Sequence, residues 1–342
     1  MGEPERHRRR DPYARRRGPG VLRVINPAYA PEDVPAPSGE ALAFHRALPG
    51  YAPTPVHDLG GGVFVKDESD RLGLPAFKVL GVSWAVEQTL RTEPSVRTLV
   101  AASAGNHGRA VAHVAAQRGL RARIFLPERS LPARREAIAG EGADVVVVNG
   151  TYEDAVRLAA EEGARPGFAE LADVGSSRPA HWVIDGYATL FAELDDRYDA
   201  ILVPVGVGSL AAAAARYGAA TGTAVIGVEP DVAACLTASL AAGEPVAVDT
   251  PGTAMAGLDC AEVSEAAWPT LRAGITGTVA VTDSQVVEAM RALAARGLAI
   301  GQSGAAPYAA LPVLEHELRR ERMLLVATEG PTDPEGYAAA VA

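Results

Sequence analysis

The 342-residue chain has only two cysteines, Cys235 and Cys260. That is too few for a disulfide framework or a cysteine-rich metal site, and no metal is expected. Uninterrupted apolar stretches long enough to cross a bilayer are lacking, so no membrane role is expected. An apolar signal core is lacking too, because the N-terminus opens with Arg-rich, Pro-containing sequence. Together these absences imply a reducing cytoplasm. Lys and Arg number 32 against 42 Asp and Glu, and the net charge of −10 argues against general affinity for nucleic acid. The exception is Arg6 to Arg17, with runs at Arg8-Arg9-Arg10 and Arg15-Arg16-Arg17. It reads either as a nucleic-acid or membrane-surface arm or, since nothing apolar there orders it, as a solvated tail over residues 1–20.

What is present is an ordinary globular composition, 48% hydrophobic, on a chain long enough for two domains. From about Phe44 apolar strands alternate with helical patterns, which predicts α/β architecture with parallel sheets. Strands are expected at Val96–Ala101, Ala122–Leu126, Ala143–Val148 and Gly167–Glu170. Helices His107–Gln117, Pro132–Ala139 and Tyr152–Glu162 lie between them, making a compact four-stranded unit. A second series has helix Ile184–Arg197, strand Ala200–Pro204, helix Ser209–Tyr217, strand Ala224–Val228 and helix Val232–Ala242. After a Pro- and Gly-containing loop from Pro245 to Gly257 come strand Thr278–Val281, helix Ser284–Ala295 and strand Met323–Ala327. No internal repeat at a solenoid period is found.

Three segments carry chemistry. Val203-Pro204-Val205-Gly206-Val207-Gly208-Ser209 ends a strand and opens a helix. Its glycines let backbone N–H groups turn toward an anion that the helix dipole favours, although Gly206 and Gly208 also suit a dinucleotide fingerprint or a purely structural turn. Ser103-Ala104-Gly105-Asn106-His107-Gly108 lies at a second strand–helix junction. Consecutive N–H groups there can hold a carboxylate, or the segment is an Asn/Gly-rich turn with His107 capping or packing. Lys78 follows Pro75-Ala76-Phe77 and begins an apolar helix, Val79–Leu90, sharing a face with Val82 and Ala85. Against an apolar surface, desolvation lowers a lysine pKa and makes a Schiff-base nucleophile. A snorkelling lysine is the alternative.

In this order and spacing, Phe77-Lys78, Ser103–Gly108 and Gly206–Ser209 resemble the fold type II family of pyridoxal 5′-phosphate (PLP) enzymes, the tryptophan-synthase-β-like class. Within it the chain is similar to the diaminopropionate ammonia-lyases. The similarity is carried by Phe44-His45-Arg46, Pro49 to Pro55, Val65-Lys66-Asp67-Glu68-Ser69 and Gly73 through Lys78. It continues at Gly186-Tyr187-Ala188-Thr189-Leu190, Met255-Ala256-Gly257-Leu258 and Thr328-Glu329-Gly330-Pro331-Thr332-Asp333. The resemblance implies a two-domain αβα fold. Its large PLP-binding domain comprises residues 21–84 and 186–342, its small inserted α/β domain residues 85–185, and the cofactor lies in the cleft between. It also implies that Lys78 holds PLP, with Phe77, Asn106, Gly206, Val207, Gly208, Ser209, Gly257 and Thr328 around it. Ser103, Ala104, Gly105 and His107 are then the substrate contacts. A homodimer acting on a small amino acid is implied as well.

The departures from the lyase pattern are four. Ala104 stands where an aspartate associated with the D-isomer precedes Gly-Asn-His-Gly. Glu170 aligns near a second aspartate, associated with the L-isomer, and is the expected acid/base. Gln302 replaces an acid in Gly301-Gln302-Ser303-Gly304-Ala305, and Pro331 replaces an aspartate. The implied reaction is α,β-elimination from a β-substituted L-amino acid such as 2,3-diaminopropionate. The substrate amine displaces Lys78, a base removes the α-proton, the β-group leaves, and a 2-oxo acid and ammonia result. β-Replacement, a threonine or serine dehydratase-like activity and a non-catalytic scaffold are the alternatives. The joint presence of Lys78, Asn106 and Gly206–Ser209 speaks against a scaffold.

Overall fold

The structure, a computed structural model, describes residues 23–103, 105–128, 130–314 and 322–342. Its strands form two sheets. β1 (Arg23–Ile25), β2 (Val56–Gly60) and β3 (Val63–Asp67) precede α2 (Lys78–Thr92), with α1 (Glu40–Arg46) after β1. Next comes a β/α series: β4 (Thr98–Ala102), α3 (Asn106–Gln117), β5 (Arg121–Pro127), α4 (Pro132–Gly140), β6 (Asp144–Val148), α5 (Tyr152–Gly163) and β7 (Phe168–Glu170). These strands make a parallel sheet in the order β6-β5-β4-β7.

After α6 (Arg178–Ala192), the chain continues through β8 (Ala200–Pro204), α7 (Ser209–Thr221), β9 (Ala224–Pro230), α8 (Cys235–Ala242), α9 (Trp268–Gly274) and β10 (Gly277–Val281). It ends with α10 (Asp283–Ala294), α11 (Gln302–Ala309), α12 (Leu311–Leu314), β11 (Met323–Ala327) and α13 (Pro334–Val341). The larger sheet runs β1-β10-β9-β8-β11-β3-β2, parallel inside with an antiparallel strand at each edge. β8 and β11 are buried throughout, as strands covered on both faces by helices must be.

The order of the strands places the site. In the small sheet the chain reverses direction between β4 and β7, and in the large sheet between β8 and β11. Loops at such switch points diverge and leave a crevice at the carboxyl ends of the strands. The four loops concerned carry Ser103–Asn106, Leu171–Asp173, Gly206–Gly208 and Thr328–Glu329.

Most predicted elements agree within a few residues, but α6 does not match Ile184–Arg197. It begins at Arg178, where the Ser177 hydroxyl accepts from Ala180 N and Pro179 occupies the first turn. It stops at Ala192, and Glu193, which caps it, sends its side chain into a buried ion cluster. There Glu193 receives Lys66 and Arg71, each at 2.7 Å, while Arg71 also holds Glu68 at 2.6 Å. All four side chains are at most 1% exposed. α8 begins at Cys235 rather than Val232, and the β2–β3 hairpin, joined through Gly61 and Gly62, is an addition. Residues 85 and 185, the expected domain limits, fall inside α2 and α6, which pack on each other. The Arg-rich tail of residues 1–20 lies outside the described residues. No described helix is long and apolar enough to cross a membrane.

Candidate active site

Lys78 is the first residue of α2, and its position is set from two sides. Phe77 N donates to Thr328 O at 3.2 Å, and Ala76 bridges Glu329, so the residues before the helix are bound to the end of β11. Behind them, the tight turn Arg71–Leu74 is closed by reciprocal backbone bonds and fixed by Arg71 in the buried ion cluster. Leu72 takes φ +52 in this turn, a left-handed conformation costing a non-glycine residue about 1–2 kcal/mol. Val82 and Ala85, expected on the Lys78 face, are fully buried.

The Lys78 Nζ donates to Asp173 Oδ2 at 2.9 Å. Burial alone pulls the lysine pKa down, but the Asp173 carboxylate outweighs it and the net direction is upward. The expectation of a desolvation-lowered lysine is therefore overturned, because desolvation is opposed by a counter-ion the sequence pattern did not reveal. For Asp173, burial favours the neutral form, yet His107 and Lys78 together hold the carboxyl well below its usual range.

His107, 3% exposed, completes the cluster. Its Nε2 donates to Leu171 O at 2.7 Å, leaving Nδ1 3.6 Å from Asp173 Oδ2 with no hydrogen-bond partner among the described residues. Burial, with Lys78 adding to it, lowers the His107 pKa, while the Asp173 carboxylate and the bond to Leu171 O oppose that shift.

The other expected residues lie on the loops and helix starts that follow the strands. Asn106 Nδ2 donates to Glu329 Oε2 at 2.5 Å, and Ser303 N to Glu329 Oε1 at 3.2 Å. Ser103 Oγ accepts from Gly105 N at 3.3 Å. Gly257 N donates to Ser303 Oγ, and Gly105, Asn106, Gly257 and Glu329 face one cleft. Ala104 lies outside the described residues. In the loop opening α7, Gly208 has φ +91, a region L side chains avoid, and a Cβ there would stand 2.5 Å from Leu271 Cδ1. At Gly206 a Cβ would meet Gly257 O at 2.8 Å. Val207 O accepts from Ser264 N, and Ser209 Oγ donates to Asp173 O at 3.2 Å, coupling this loop to the Lys78 cluster.

Glu170 is placed differently from the expected acid/base. It lies in β7 with its Cβ against Gly163 of α5, on the sheet face of Phe168, whereas Ala169 and Leu171 face the opposite core. Burial raises its pKa, but no hydrogen bond or ion pair among the described residues joins it to Lys78. The carboxylate on Lys78 comes instead from Asp173, three residues further on.

A family model described as pyridoxal-phosphate dependent enzyme matches residues 47–329. The chain belongs to this family. It is 32% identical over 363 residues to a diaminopropionate ammonia-lyase of Salmonella typhimurium, covering 87% of this chain and 90% of that protein. The Escherichia coli diaminopropionate ammonia-lyase, solved in complex with an aminoacrylate–PLP azomethine reaction intermediate, superposes with a TM-score of 0.86 at 29% identity. That match covers 94% of this chain and 96% of the other. A T.th. threonine deaminase gives a TM-score of 0.75 at 30% identity over 86% of this chain and 98% of its own. The fold is thus the type II class expected from the motifs.

The enzyme's cofactor is pyridoxal 5′-phosphate, and the residues present fit it. Gly206 and Gly208, neither with room for a Cβ and Gly208 at φ +91, open the N-terminus of a 13-residue helix, whose backbone N–H groups suit a phosphate. Two sealed polar atoms without partners among the described residues, His107 Nδ1 and the Tyr187 hydroxyl, flank the lysine.

Proposed function

We propose that this enzyme is a PLP-dependent carbon–nitrogen lyase catalysing α,β-elimination on a β-substituted L-amino acid, with 2,3-diaminopropionate as the reference substrate. Water and 2,3-diaminopropionate then give pyruvate and two ammonia molecules. The observation that carries the reading is the Lys78–Asp173 pair at 2.9 Å, tied through Ser209 Oγ to the glycine loop that opens α7.

Lys78 would hold the cofactor covalently, and the backbone N–H groups of Gly206 to Ser209 its phosphate. Asn106 and Glu329 would meet its ring, with Phe77, Gly257 and Thr328 closing the walls, while Ser103, Ala104 and Gly105 would receive the substrate carboxylate. When bound, PLP supplies a sink for the electron pair left on the α-carbon after proton removal. Once displaced by the substrate amine, Lys78 is free to take the α-proton at Nζ, and Asp173 stabilises the ammonium that results. His107 Nδ1, beside the same carboxylate, can accept a proton and return it to the leaving nitrogen. Asp173 thereby takes the acid/base place first given to Glu170.

The same reading divides the chain at residues 85 and 185 into large and small domains and makes the enzyme a cytoplasmic homodimer without nucleic-acid partners. The test is borohydride reduction followed by peptide mass spectrometry, together with product analysis on L-2,3-diaminopropionate. A reduced adduct on Lys78 and two ammonia per pyruvate are expected. An adduct on another lysine, or none, sinks the site assignment, and absence of pyruvate sinks the reaction.

A further inference from the structure

Tyr187, on α6, is a second buried group beside Lys78. It is fully buried, with its ring centroid 4.7 Å from that of Phe77. Gly81 on α2 makes room for it: a Cβ there would lie 2.6 Å from Tyr187 Cε1 and 2.9 Å from Val183 Cγ1. The hydroxyl is sealed from water and has no hydrogen-bond partner among the described residues. Phenylalanine would fill the same space without an orphaned oxygen, so packing gives no reason for the hydroxyl. The Lys78 Nζ lies 6.0 Å from the ring centroid. Burial keeps the phenol neutral, and the charges of Lys78 and Asp173 both reach it.

We propose that Tyr187 is a positioning residue for Lys78, its hydroxyl oxygen accepting one N–H of Nζ while Asp173 accepts another. This rests on the reading of Lys78 as the cofactor lysine. A neutral amine has two N–H bonds and one lone pair. With both hydrogens held by fixed acceptors, the lone pair keeps a single direction, away from Tyr187 and Asp173. A lysine held by Asp173 alone turns about its terminal bond and spreads that lone pair over several directions. Tyr187 thus confers on a flexible four-carbon stem the orientation that proton abstraction requires.

The experiment is Tyr187→Phe in the full chain. In the cofactor-free protein the thermal midpoint should change little, since the one bond lost to Lys78 is offset by removal of a buried hydroxyl. In the loaded enzyme borohydride should still trap cofactor on Lys78. The kcat should fall roughly 10–100-fold with KM nearly constant. The pH limb reporting the lysine should move to lower pH, because an acceptor that favours its charged form is gone. Wild-type kcat and pH profile in the variant would overturn the proposal. So would a large loss of thermal stability or failure to fold, which would assign the hydroxyl a structural role. If the wild-type adduct falls on another lysine, the underlying site reading fails instead, whatever the variant does.

Discussion

Asn106 Nδ2 donates to Glu329 Oε2 across 2.5 Å, joining the first turn of α3 on the small sheet to the end of β11 on the large one. Glu329 is 6% exposed, and burial raises its pKa, so each donor aimed at it matters. Truncating Asn106 to Ala leaves a buried carboxyl short of one partner, which costs about 1–3 kcal/mol. Asn106→Ala should lower the denaturant midpoint of the cofactor-free protein accordingly. It should also weaken cofactor binding about tenfold or more, read by fluorescence titration. Unchanged values in both measurements would remove Asn106 from the link between the sheets.

Asp173→Asn separates the two influences on Lys78. With the carboxylate gone, burial remains and lowers the lysine pKa, so a larger neutral fraction exists at any given pH. Borohydride-trappable cofactor should form on Lys78 at lower pH than in the wild type. Turnover should nevertheless drop by about 10²–10⁴, the usual contribution of a positioned acid–base group. A variant that traps cofactor only at higher pH would show that Asp173 is not what holds the ammonium.

His45 gives a stability window in pH. It is fully buried between α1, α2 and α6, with Nδ1 2.7 Å from Thr189 Oγ1 and Nε2 3.0 Å from Leu80 O. Burial, the largest influence, lowers its pKa to about 4. A base whose folded pKa is depressed contributes fully above its unfolded value of about 6.5, and the contribution fades as pH falls toward 4. On the order of 3 kcal/mol should be lost across that interval. Urea midpoints at pH 7.5 and 4.5 should differ in the wild type, and less so in His45→Gln. Equal slopes in the two proteins would assign the acid sensitivity elsewhere.

What the sequence made legible was local. Phe77-Lys78, the Asn106 loop and Gly206–Ser209 are contiguous segments whose residue types state their use, and β8 and β11 are short apolar runs. Asp173 gave no such signal. It is one aspartate in Leu171-Ala172-Asp173-Val174-Gly175, and only the pairing of β7 beside β4 brings it to Lys78. Its position just past a strand end, at a switch point of a parallel sheet, was the available clue. Lys66 and Glu193 were hidden for the opposite reason. Charged residues are read as solvent-facing, yet these two pair with each other inside the core, where Arg71 and Glu68 balance the cluster, so β3 was not recognised as a strand.

The last prediction concerns handedness at the substrate's α-carbon. A base removes that proton only from the face it occupies, so both enantiomers react only where each face has one. Among the described residues Lys78, Asp173 and His107 form one cluster, joined within 3.6 Å. The residue before Gly105 is Ala104, which cannot take a proton. We therefore expect turnover of L-amino acids, with D-isomers slower by at least about 10²-fold, the lower end of what a positioned base contributes. Ala104→Asp should add D-isomer turnover while leaving cofactor content unchanged. The assay is pyruvate release from both enantiomers of 2,3-diaminopropionate by the wild type and by this variant. Comparable wild-type rates on D and L would mean that some other group serves the second face, and the significance given to Ala104 would fall.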